Sequence, residues 1–118
     1  MDINELRKLC QEWQSRLRLN DWEIKLFISR ERDMIRPGLQ GENTWEIKNK
    51  SAIIKILDPI DYPPDVLWEQ DMEKTLVHEL LHLHFAPFDK YEEDSMEGIA
   101  IEQAIDAIAK ALVTLKRN

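Results

Sequence analysis

His78, Glu79 and His82 have the types and spacing for metal chemistry. They lie in His78-Glu79-Leu80-Leu81-His82, within residues 71–85, where Leu76, Val77, Leu80 and Leu81 recur at helical spacing without Gly or Pro. Residues four apart are neighbours on one helix face, so the two imidazoles aim at one point. Glu79 follows His78 by about 100° round the helix. It sits beside that point, where a carboxylate reaches a metal-polarised water without ligating the metal. Zinc hydrolysis needs this division of labour: neutral imidazoles hold the ion and a separate base takes the proton.

Two imidazoles leave such an ion short of a third protein ligand. The carboxylates that could reach it from another helix are Glu97, Glu102 and Asp106. Glu102 and Asp106 are four apart and share a face, whereas Glu97 is about 140° from Glu102. Ala109 is nearly in line with Glu102 and Ile99 lies close by, so this face is not simply a solvent face. Two accounts stand side by side. Either the two acids form a solvated helix edge, or Glu102 ligates zinc while Asp106 holds a histidine ring by its second nitrogen. His84 is about 200° round from His82 and is expected to be a core or partner-facing imidazole.

The elements that must position these groups follow from apolar periodicity. Ile3, Leu6, Leu9, Cys10, Trp13 and Leu17 predict a helix from residue 3 to about 19, with Asp2 and Glu5 as a capping box and Asn20 as its left-handed stop. Residues 22–29 alternate as a first strand, with Trp22, Ile24, Leu26 and Ile28 on one side. Pro37-Gly38 and Gly41 mark residues 30–43 as a loop, and residues 44–48 and 52–57 read as two strands joined by a short hairpin connection. Pro59, Pro63 and Pro64 exclude regular structure over 58–65. The motif helix falls within 66–85. A last helix spans about 95–115, opened by the Asp94/Glu97 pair, with Ile101, Ala104, Ile105, Ile108, Leu112 and Leu115 on its buried face. The order is helix, three strands, helix, helix: one α+β domain over residues 1–118.

Composition limits the function classes. The 118 residues are 33% charged and 43% hydrophobic, as in an ordinary globular domain. A net charge of −7 argues against nucleic acid as the main partner, because phosphate contacts need clustered Lys and Arg. The one basic cluster, Arg30, Arg32 and Arg36, is interrupted by Glu31 and Asp33 and reads as a solvated loop. A single cysteine makes no internal disulfide, Met1-Asp2 opens no signal peptide, and no apolar run has the length of a membrane span. A soluble, cytoplasmic protein is expected. Cys10 falls on the first helix's apolar stripe and reads as a core residue.

His78-Glu79-x-x-His82 followed by Glu102-x-x-x-Asp106 resembles the gluzincin metallopeptidases, the thermolysin-like zinc enzymes, which place a third ligand in an ExxxD pattern after HExxH. Nineteen residues separate His82 from Glu102, the thermolysin-like interval. The resemblance covers about residues 72–108, and the Leu- and Trp-rich opening is similar to small phage and bacterial zinc-peptidase domains. It implies a minimal zincin-like fold, a Zn2+ cofactor held by His78, His82 and Glu102, Glu79 as general base, Asp106 in support, and a peptide or protein substrate. Phe85 and Phe88 stand where metzincins carry Gly and a third His, which excludes that branch. The larger gluzincins draw an oxyanion-stabilising His or Tyr from a C-terminal helical subdomain, and no such subdomain is expected here. Tyr62 and Tyr91, in loops flanking the motif helix, are the candidates to swing in. An extended substrate is expected along the 52–57 strand, which its Ile and Leu content makes equally a central strand. The alternative function is a zinc-bearing binding module that does not cleave.

Overall fold

Alternation in β3 (Ser51–Leu57) turns Ala52, Ile54 and Ile56 to one side, and all three are buried. The computed structural model describes residues 1–67 and 70–118. β3 is the central strand of a three-stranded sheet ordered β1-β3-β2. β1 (Glu23–Ser29) runs parallel to it and β2 (Gly41–Glu46) antiparallel. The register lays three rows across the inner face: Ile24–Ala52–Trp45, Leu26–Ile54–Asn43 and Ile28–Ile56–Gly41. β1 and β3 contribute apolar side chains to each row. β2 contributes Trp45, Asn43 and Gly41 instead.

Three helices complete the α+β fold. α1 (Ile3–Arg16) and α2 (Met72–Phe85) cover the inner face, and α3 (Met96–Arg117) packs along α2. Nine of the fourteen α2 residues are buried, which makes it the helix around which the core is built. Leu76, Val77 and Leu80 meet the sheet's Ile54 and Ile56 and the α3 residues Ile105, Ala109 and Val113 in one cluster. Cys10 belongs to that cluster, and burial pushes its thiol up to about 11, far from a nucleophile's range.

A buried carboxylate ties the three helices together. Glu73, 6% exposed, accepts hydrogen bonds from Trp13 Nε1 at 2.7 Å, from the Lys116 ammonium and from Arg117 at 3.0 Å. Arg117 also forks onto Asp71, the N-cap of α2. Donors from α1 and α3 thus converge on the first turn of α2.

Several sequence expectations need correction. α1 ends at Arg16, and Arg18 (φ 62°), not Asn20, takes the left-handed position. The tighter turn brings Leu19 into the core, and Gln14 Nε2 donates to the Leu19 and Trp22 carbonyls to hold it. β2 starts at Gly41 and ends at Glu46, leaving Ile47–Lys50 as the turn; Lys50 there has φ 50°. Asp58 caps one 3₁₀ turn, Pro59–Asp61, inside the proline-rich stretch. The Arg30 guanidinium forks onto Asp61 at 2.8 and 3.1 Å, so this arginine is paired across two loops rather than merely solvated. The N-cap of α3 is Ser95, whose hydroxyl accepts from Gly98 N, not Asp94. Gly98 has no Cβ, which leaves room for the Glu92 carbonyl. The 66–85 range expected for the motif helix includes Trp68 and Glu69, outside the described residues; α2 itself opens at Met72 behind Asp71.

The Glu73 cluster makes stability acid-sensitive. Burial alone would raise the Glu73 pKa, but its three donors outweigh that and hold it below the ordinary value near 4.5. A depressed carboxyl stabilises fully above its unfolded pKa, and that contribution is lost as pH falls through the folded value. Glu73→Gln should therefore cost about 1.5–3 kcal/mol in urea unfolding at neutral pH, the worth of hydrogen bonds to a charged group. The gap to wild type should close below pH 4.5. A gap that stays constant with pH would show that Glu73 is not the linked group.

Candidate metal centre

The α2 turn from His78 to His82 faces a cleft of about 550 Å3. β2 forms one wall and the 35–39 loop another; Phe85, Phe88 and Tyr91 close the far end. Across from α2, α3 presents Glu102. Its Oε1 lies 2.7 Å from His78 Nε2 and its Oε2 3.1 Å from His82 Nε2. One ligand atom from each of the three residues falls within 4.8 Å of the others. The sequence candidates His78, His82 and Glu102 are thus brought together, while Glu97 is no member of the cluster.

The donor set fits a divalent ion. Two imidazoles and one carboxylate on two helices leave the cleft side open, the arrangement of a site with a free coordination position. Bonds of about 2.0–2.2 Å put tetrahedral ligand atoms about 3.3–3.6 Å apart, so the Glu102 oxygens need to draw back from the imidazoles by less than about one ångström. Glu102, whose side chain is 55% exposed, can give by that much. The same donors suit non-haem iron as well as zinc.

Electrostatics bind the three side chains to one another. Hydrogen bonds from both imidazoles hold the Glu102 carboxyl well below the usual carboxylate range. Burial would lower the His78 pKa, but the bond to Glu102 and the charges of Glu79, Glu102 and Asp106 carry it above its ordinary value. A metal ion takes the place of those protons, so its affinity must fall in acid.

Asp106 lies 3.6 Å from His78 Nδ1, which is the ring nitrogen opposite the one facing Glu102. It is shared with Lys110 at 3.1 Å and Lys74 at 4.0 Å. An ionic neighbour thus stands beside that nitrogen, at a separation longer than a direct hydrogen bond. Glu79 is 8% exposed, and burial raises its pKa above the ordinary carboxylate value. The charges of His82 and His78 pull its pKa the other way but do not outweigh burial, and among the described residues no Lys or Arg pairs with it, in contrast with Glu73 six residues earlier.

Other expectations resolve differently. His84 is exposed, neither core nor ligand, and its Nε2 meets the Leu17 carbonyl at 2.7 Å, closing the end of α1. Tyr91 lines the cleft, whereas Tyr62 packs against the core. Sequence reasoning starts β2 at residue 44 and gives it no part in the site. Trp45 stacks on the His82 ring, centroids 6.3 Å apart and planes 19° from parallel. Asn43 Nδ2 donates to the Glu79 carbonyl at 2.8 Å while its Oδ1 is buried without a partner. Gly41 abuts the Glu79 carboxylate. The signal for all three was available as a period-2 pattern, Gly-x-Asn-x-Trp.

Compared with protein-family models, curated proteins and solved structures, the chain matches none.

Asp106→Asn should weaken zinc binding by about tenfold, the low end for an outer partner of a ligand histidine, when measured by chelator competition. Unchanged affinity in a folded variant would make Asp106 a surface acid only. Zinc bridging α2 and α3 should also raise the melting temperature, since a ligand at a hundredfold excess over Kd adds about 2.7 kcal/mol. The chelated protein should still melt cooperatively, because α2 and α3 share an apolar interface that needs no metal.

Proposed function

We propose that the chain is a minimal gluzincin-type zinc metallopeptidase that hydrolyses peptide bonds. The observation that carries this reading is the convergence of His78, His82 and Glu102 beside a buried Glu79 at the wall of a cleft. Zinc bound by those three donors would polarise a peptide carbonyl and lower the pKa of water toward neutrality. Glu79 then takes the water's proton as the oxygen attacks the carbonyl and passes it to the leaving amine. Its raised pKa suits both halves of that task, since a base that must return its proton works best near the operating pH.

The substrate's place differs from the one expected from sequence. The strand at 52–57 is β3, flanked on both sides, and offers no edge. β2 does: one side pairs with β3, and its other edge is free among the described residues while its residues 41–45 line the cleft. An extended peptide added to that edge would run past Glu79 and the three donors. Among the described residues no helix is long and apolar enough to cross a membrane.

Protein purified without chelator should carry one zinc per chain by elemental analysis, and His78→Ala, His82→Ala and Glu102→Ala should each lose most of it. Glu79→Gln should keep the metal and lose cleavage of an unfolded protein by at least a hundredfold, since acid–base assistance contributes about 10²–10⁴-fold. A zinc-loaded wild type that cleaves nothing would instead identify a binding module retaining the site.

A further inference from the structure

Three alternate residues of β2 touch the motif helix, and one of them does so by having no side chain. Residues 41, 43 and 45 share the inner face, because successive strand residues point to opposite sides. Trp45 backs the His82 ring and Asn43 grips the Glu79 main chain. A Cβ built on Gly41 would stand 2.8 Å from Glu79 Oε2 and 3.0 Å from Glu79 Cγ, with Thr75 Cγ2 at 2.9 Å. Real Cβ atoms essentially never approach heavy atoms that closely, so the carboxylate occupies the space a side chain at 41 would need.

Glycine in a strand interior carries an entropic cost and packs nothing, which commonly marks a close approach. Gly41 pairs with Ile56 in the ladder, and its φ lies outside the left-handed region. Backbone conformation therefore gives no reason for glycine here; the neighbouring carboxylate does. The slot is rigid on two sides: Asn43 fixes the helix backbone at Glu79, and Thr75, one turn earlier, is held through its hydroxyl to the Asp71 carbonyl at 3.0 Å. Glu79 lines the cleft, the open space beside the slot.

We infer that Gly41 is a positioning residue for the Glu79 carboxylate: its missing side chain sets how deep that group sits beneath the substrate edge of β2. The inference rests on the peptidase reading for its catalytic consequence, but the packing relation can be measured without activity.

The experiment is a double-mutant cycle of Gly41→Ala and Glu79→Ala in a Thr75→Ser background, which removes the competing methyl while keeping the hydroxyl. Melting of the chelated proteins reads the packing. With Glu79 present, Gly41→Ala should lower the melting temperature by roughly 3–6 °C; with Ala at 79 it should raise it or leave it unchanged, as glycine-to-alanine changes do where space allows. An equal loss in both backgrounds would overturn the inference, because something other than the carboxylate would then require glycine. Peptide cleavage by zinc-loaded Gly41→Ala, well below its melting temperature, reads the catalytic half. Zinc content should stay at one per chain, kcat should fall about 10–100-fold and KM should change less than threefold, since an ångström of misplacement costs up to about a hundredfold. An unchanged kcat would also overturn it. A wild type without activity would refute the peptidase reading alone, and the melting cycle would still decide whether the slot belongs to Glu79.

Discussion

One constraint governs this molecule: α2 must be buried on nearly every side and still present polar atoms to a single cleft. The apolar residues of α2 meet the sheet and α3, which leaves one narrow strip for His78, Glu79 and His82. Burying a charge is costly unless it is paired, and the two buried glutamates of this helix meet that cost in opposite ways. Glu73 collects an indole, an ammonium and a guanidinium and stays ionised. Glu79 has only the two histidines against it, and burial outweighs them and pushes it toward its neutral form. Six residues apart on one helix, one carboxylate is held ionised and the other is pushed toward its protonated form.

How much of this was legible depended on whether a signal was local. The i, i+4 histidines and the apolar period around them defined α2, and the interval to Glu102 led to the residue that the fold brings against both imidazoles. Asp2 with Glu5 proved to be a capping box because both halves lie within one turn. Endings were harder. Asn20 has the better intrinsic left-handed preference, yet Arg18 takes that position because Leu19 must reach the core. Asp94 and Ser95 are both good caps, and the choice fell to the residue whose third neighbour is Gly98.

β2 was misread for a more instructive reason. Gly41 looks like a loop residue when only propensity is weighed, so the strand was started at residue 44. Its place in the ladder is set by a tertiary contact, the carboxylate of a helix 38 residues further on. Asn43, too, is a poor strand former whose amide serves the helix backbone. Local preference failed where the strand carries the site, as expected when a sequence departs from its own rules for function. The Glu73 cluster escaped for a similar reason, its donors lying 60 residues before and 43 and 44 after it.

The free edge of β2 has a further consequence, for the company this protein keeps with itself. An unpaired strand edge is a template for a second copy of the same strand. Were two β2 strands to meet antiparallel about Thr44, Glu42 of each would face Glu46 of the other. Like charges directly opposite are destabilising, and four carboxylates would crowd one short ribbon. An incoming peptide without acids at those positions meets no such barrier. The same two glutamates that leave the edge open to a foreign chain thus close it to its own kind.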